Sequence, residues 1–164
     1  MNTRTHIPIV VQGRQRSAGF SLIELVLVLT IISVLSAIAV PRYAGALARY
    51  RADAAARRVV ADLDYARQRA RSSSSSVTAA FLPGQDLLLI TGTISMDDPS
   101  ASWRTDLSGS PYRADITASV FGADNTVTFN GFGDPDTGGT VILTVGSETR
   151  SVVLDVNTGK AVVQ

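Results

Sequence analysis

Apolar residues run almost unbroken from Phe20 to Val40, in the stretch GFSLIELVLVLTIISVLSAIAVP, and then thin to a stripe. About 20 such residues suffice for a helix to cross a bilayer core, so the run predicts a membrane span over 20–40. Beyond it Ala48, Ala52, Ala55, Val59, Leu63, Ala66 and Ala70 recur at steps of three and four. That period predicts an amphipathic helical stem over 41–71, its small side chains allowing close approach to a sheet. Pro41 removes one backbone hydrogen bond, a loss that a bilayer and neighbouring helices tolerate. Asp53 and Arg57, at i, i+4 in the acid-first order, read as a helix ion pair. Five serines, Ser72 to Ser76, end the stem.

From Val77 the period changes to that of strands. Val77–Leu82 and Asp86–Thr91 flank Pro83, Gly84 and Gln85 and predict a hairpin. Residues 96–112 lack a stable pattern and are expected to form a long surface loop with Trp103 as its one aromatic anchor. Further strands are expected at 116–121, 126–130, 140–145, 150–156 and 160–163. Val141, Leu143 and Val145 alternate with Ile142 and Thr144, so part of this sheet is apolar on both faces. The fold class is therefore α+β: a long N-terminal helix on one face of an antiparallel head over 72–164, with a second sheet layer on the other.

Composition removes several classes of chemistry. The 164 residues contain no Cys, which excludes disulfides, thiolate metal sites and Cys nucleophiles. His6 is the single histidine and precedes the span, leaving no His for a general base after it. No phosphate loop, Ser-His-Asp set or paired-carboxylate motif is present, so no enzyme, cofactor or small-molecule substrate is expected. Asp134 and Asp136 beside Gly138 and Gly139, or Asp97 with Asp98, are possible calcium ligands but lack EF-hand spacing. They read better as solvated turns, and no metal is expected. Gly131, Gly133 and Gly159 read as turn glycines at positive φ.

Formal charge changes sign along the chain. It is +2 over 1–41, +5 over 42–71 and −6 over 72–164, a basic stem on an acidic head. The eight stem arginines are expected to form a solvated face or to meet a neighbour's acidic head. Arg4, Arg14 and Arg16 before the span favour a cytoplasmic N-terminus. The arginines after Pro41 argue the other way, but long domains translocate largely regardless of charge.

One residue of the span demands a reason. Glu24 puts a carboxylate where insertion costs about 2.5 to 3.5 kcal/mol. Arg14, Arg16, Ser17, Ala18, Gly19, Phe20, Ser21, Leu22, Ile23 and Glu24, in that order, resemble the class III signal of type IV pilins and type II secretion pseudopilins. The resemblance implies that residues 1–19 are a leader, removed by a prepilin peptidase between Gly19 and Phe20, and that Phe20 is then N-methylated. Glu24 becomes the fifth mature residue and Pro41 the twenty-second, where such helices commonly carry proline. Pairing of Glu24 with the Phe20 amine of a neighbouring subunit would turn a lone charge in lipid into an ion pair that fixes register. An ordinary secretory signal has an apolar core of only about 7 to 15 residues and leaves no anchor.

Further on, TVTFNGFG over 126–133 and DVNTGK over 155–160 resemble the minor pseudopilin H (FimT-like) subfamily. The implied function is that of a minor pseudopilin in the type II secretion pseudopilus. It would be a single-pass inner-membrane protein with a periplasmic head, touching other major and minor pseudopilins, membrane lipid and the secretion platform. The competing reading is a FimT-like minor pilin that takes up DNA. That group carries Gly-Arg-x-Arg where this chain has Gly159, Lys160, Ala161 and Val162. A head at −6 with one cation there repels phosphate, so no nucleic-acid partner is expected.

Overall fold

The computed structural model describes residues 19–94 and 102–164. Residues 1–18 of the leader expected over 1–19, and the pair Asp97 and Asp98, lie outside the described residues. Two units are distinguished, Met1–Val40 and Pro41–Gln164.

In the first unit the described chain is almost wholly helix. Helix α1 (Leu22–Ser73) begins here, and Ser21 caps it, its Oγ accepting from the Glu24 amide at 3.3 Å. The apolar window of this helix has none of its residues buried. Thr30 and Ser33 turn their hydroxyls back onto the carbonyls of Leu27 and Leu29, each at 2.7 Å, which satisfies both polar groups within the helix.

Among its described residues the second unit contains the remainder of α1 and eight strands in two antiparallel sheets. Strands β1 (Val77–Leu82), β2 (Leu87–Ile94), β3 (Ser102–Asp106) and β5 (Thr126–Phe129) form one sheet in the order β3-β2-β1-β5. Strands β4 (Asp115–Phe121), β6 (Gly139–Val145), β7 (Glu148–Leu154) and β8 (Ala161–Val163) form the other in the order β4-β6-β7-β8. The second layer anticipated from the apolar faces is thus present. Both faces share one core with the stem stripe. Ala52, Ala55, Val59, Leu63, Ala66 and Ala70 are all buried, together with Val77, Phe81, Phe121, Phe129, Leu143 and Val152. Alanine gains little by its own burial; its small size lets the helix approach until Val59 and Leu63 are covered, at about 1.5 to 3 kcal/mol each.

The predicted first hairpin forms around a single 3-10 turn, Pro83–Gln85, and Asp86 closes it in the left-handed region at φ 53°. Asp86 also joins the sheets: its Oδ1 accepts from the Ile116 amide at 2.7 Å and its carbonyl from the Leu107 amide at 3.0 Å.

Within the segment read as a surface loop, Ser102–Asp106 is strand β3, paired antiparallel with β2 through a register shift. Its period was hidden because the side chain it buries is polar. Thr105 donates to Asp62 Oδ2 at 2.6 Å, and Asp62 is itself only 3% exposed. Arg58 reaches the same oxygen at 3.1 Å and lies over the Trp103 ring at 5.7 Å, while Trp103 packs on Tyr65 at 4.9 Å. The helix ion pair realised is therefore Arg58–Asp62. Asp53, expected to pair with Arg57, instead accepts from Arg150 of β7 at 2.6 Å, because the partly buried guanidinium across the interface is the better donor.

Burial pushes the Asp62 carboxyl above its ordinary 3.8, and the Thr105, Arg58 and Trp103 groups only partly offset this. A raised folded-state pKa contributes stability that is complete below the unfolded value and lost as pH rises through the folded one. In melts of Pro41–Gln164, wild type should therefore lose stability relative to Asp62→Asn as pH rises from about 4 to 7. A pH-independent difference would refute the shift. Asp62→Ala should cost about 1 to 3 kcal/mol by leaving the buried Thr105 hydroxyl without its acceptor.

Candidate functional site

Two places carry the sequence-predicted residues, and they differ in kind. The first is the start of α1. Gly19 and Phe20 precede the helix, an added Cβ on Gly19 would meet nothing within 4 Å, and Phe20 is 82% exposed. Backbone this open can enter a peptidase cleft. Ser21 and Glu24 have the S-x-x-E spacing of a capping box, a signal missed in the sequence reading although it was legible there. The Glu24 carboxylate is exposed and, among the described residues, has no ion-pair partner. Pro41 comes 17 residues after Glu24 in the sequence and opens the second unit.

The second is the pair of turns resembling family elements. Asn130 Oδ1 accepts from the amides of Phe132 and Asp134, both at 2.9 Å, and the Asn130 carbonyl accepts from Gly133 at 2.7 Å. Arg71 Nε donates to the Phe132 carbonyl at 2.6 Å and Arg67 Nε to that of Gly133 at 3.2 Å. Stem arginines expected to face solvent or a neighbour thus hold a loop of their own head, as Arg49 holds Glu148 at 3.0 Å. An extended side chain satisfies a loop carbonyl directly, which their position on the helix could not reveal. Gly133 is at φ +80° and Gly159 at +61°, as turn glycines should be. Gly131 is not at positive φ. It is needed because a Cβ would come to 2.9 Å from the Ser74 backbone, a close approach between loop and helix end.

The two turns touch. A Cβ on Gly159 would come within 3.2 Å of the Gly133 carbonyl and 3.1 Å of Arg67 Nε. Arg67 therefore sits where the end of one sheet meets the β7–β8 turn of the other. Asp136 caps the Thr128 amide at 2.9 Å, while Asp134 is exposed. Among the described residues no three His, Cys, Asp or Glu side chains are grouped to hold a metal. A shallow depression lined by Tyr65, Gln68, Arg69 and Ser72 contains no acid, base or nucleophile set suited to catalysis.

A prokaryotic N-terminal methylation motif matches residues 14–40, and the family model for the type II transport protein GspH matches residues 55–160. The chain belongs to the GspH family. The GspH match takes in the stem from Ala55, strands β1 to β7 and the two turns beside Arg67 and Arg71, while the methylation motif takes in Gly19, Phe20 and Glu24. Among solved structures, the type IV minor pilin FimU of Pseudomonas aeruginosa strain PAO1 is similar at 19% identity. The alignment covers 71% of this chain and 90% of that one, with a TM-score of 0.52. A second crystal form of FimU gives 0.49 over 68% and 91%. At this identity the likeness concerns the fold, which is type IV pilin-like. No curated protein matches the chain. GspH-type proteins with this fold are structural pilin subunits rather than enzymes. The methylation motif implies processing by a prepilin peptidase and assembly with other pilin-like subunits, and the apolar helix is consistent with inner-membrane anchoring.

Proposed function

We propose that this GspH-family chain is a minor pseudopilin of a type II secretion system, a structural subunit of the pseudopilus that helps export folded proteins across the outer membrane. The observation carrying this reading is the succession, in one chain, of the methylation motif over 14–40 and the GspH match over 55–160. Residues 1–19 are the leader, 20–40 the span, 41–71 the stem and 72–164 the periplasmic head. Prepilin peptidase cuts between Gly19 and Phe20, Phe20 is methylated, Glu24 pairs with a neighbour's Phe20 amine, and Pro41 marks the end of the span. The partners are other pseudopilins and the secretion platform.

Duplex DNA is not a partner in this reading. Lys160 is the one cation of the β7–β8 turn, and the nearby Arg67 is occupied by the Gly133 carbonyl. Neutralising phosphate needs several such groups.

Mass spectrometry of the chain from cells with an active prepilin peptidase should find a mature N-terminus at N-methyl-Phe20. An intact leader, or a start near Val40, would sink the processing assignment. Deleting the gene in its host should trap exported proteins in the periplasm with surface pili intact. Loss of pili or of DNA uptake with export unchanged would move the chain to a type IV pilus.

A further inference from the structure

An antiparallel sheet with one face on the core usually turns polar residues to water on the other. The sheet β4-β6-β7-β8 does not. Along β6 and β7 the buried Val141, Leu143, Val152 and Leu154 alternate with residues turned away from the core, and the strand register extends these into rows. One row runs Val120, Thr140, Val153 and Val162 across all four strands. The next runs Ala118, Ile142 and Ser151 across three. Neither row holds a charge, although residues 72–164 sum to −6. The outer face of the other sheet differs, with Arg104 and Asp106 exposed on β3 and threonines at 78, 91 and 128.

We infer that this uncharged face of β4-β6-β7-β8 is where the head packs against the head of an adjacent pilin-like subunit. The inference deepens the function proposed above and rests on the anchoring proposed there. Area decides the kind of occupant. At strand and residue spacings the two rows measure about 19 Å by 14 Å, roughly 270 Å², against about 800 Å² per partner in a stable free complex. A soluble protein or a free second copy is therefore not held here. A head whose own helix is anchored in the same membrane is different, because tethering raises its effective concentration and a small contact then suffices. Charge decides the surface that the occupant presents. A charged group pressed onto Val153 and Ile142 would lose its water and gain no partner, so the facing surface is uncharged as well. Around the two rows the head stays acidic, which keeps other acidic bodies from closing on it in other orientations.

The test uses the full chain in its host, with the photo-crosslinker p-benzoylphenylalanine in place of Ile142 and, as a control on the other sheet, in place of Thr91. Irradiation should join the Ile142 probe to a second chain whose peptides, read by mass spectrometry, include an N-terminal methylation motif. The Thr91 probe should give little of that product. Val120 and Val162 stand at the two edges of the face, 65% and 51% exposed, so a charge at either leaves the core untouched. Val120→Asp and Val162→Asp should each lower the product at least about fivefold, with the amount of processed chain and its melting temperature in detergent unchanged, while Val120→Thr should keep it. A product joining two copies of this chain would overturn the inference, as would one joining it to an exported protein. So would absence of a product from processed chain, equal yield from Thr91, or indifference to both aspartates. A chain that stays uncut at Gly19 would instead refute the reading on which the inference rests.

Discussion

Phe121→Ala should lower the stability of Pro41–Gln164 by about 3 to 5 kcal/mol, the range for truncating a fully buried aromatic. Phe121 is completely buried at the end of β4 and lies parallel to Phe81 of β1, with ring centroids 4.9 Å apart and planes within 8°. It is thus one of the contacts through which one sheet stands on the other. The site cannot collapse readily, because Gly139 opposite Phe121 already lies so close that any Cβ there would strike the Phe121 ring and the Val120 carbonyl. A domain of this size has about 5 to 15 kcal/mol in total, so the variant should melt at least about 10 °C lower. Phe121→Leu, which keeps most of the apolar volume, should lose less. Melts of the three proteins by circular dichroism decide the matter. Equal stability of wild type and Phe121→Ala would mean that the sheets are held together elsewhere, with the Asp86–Ile116 hydrogen bond as the next place to look.

The fold was legible where side-chain period reports a single environment. Val59, Leu63 and the alanines face one core, and β1 and most of β6 alternate, so the stem and most of the strands could be read directly. Strand β3 was not legible. Its inward residue is Thr105, whose burial is compensated by a carboxylate 43 residues away, and no local pattern encodes a long-range hydrogen bond. The same holds for the stem arginines. Their charge was visible, but whether they meet solvent, a neighbour or their own loops depends on where the chain returns. Glycine was half legible: the turn chemistry of Gly133 and Gly159 is local, whereas Gly131 is fixed by the approach of Ser74 from another element. The first turn of α1 was the most legible part of the candidate site, since Ser21 and Glu24 act within one turn of each other. What the carboxylate of Glu24 is for does not follow from its own chain.

Glu24→Gln is expected to leave membrane insertion intact and to reduce incorporation into the filament at least about tenfold. The carboxylate has two candidate uses. As the fourth residue of a capping box it would support the helix start, and there glutamine serves as well as glutamate. As half of an ion pair with the Phe20 amine of the next subunit it needs its charge, and glutamine cannot replace it. The structure contains the backbone half of the box, Ser21 accepting from the Glu24 amide, and that bond survives any side chain at position 24. Glutamine therefore separates the two uses. Its insertion should be at least as easy as that of wild type, since an unpaired charge in lipid costs about 2.5 to 3.5 kcal/mol, whereas assembly should lose the interaction that fixes register. Glu24→Ala should match Glu24→Gln if charge decides and fall below it if capping contributes. The measurement is cross-linking to neighbouring subunits in membranes, normalised to the amount of processed chain. Normal incorporation of Glu24→Gln would show that no charge at this position is needed for assembly, and the proposed pairing with Phe20 would have to be abandoned.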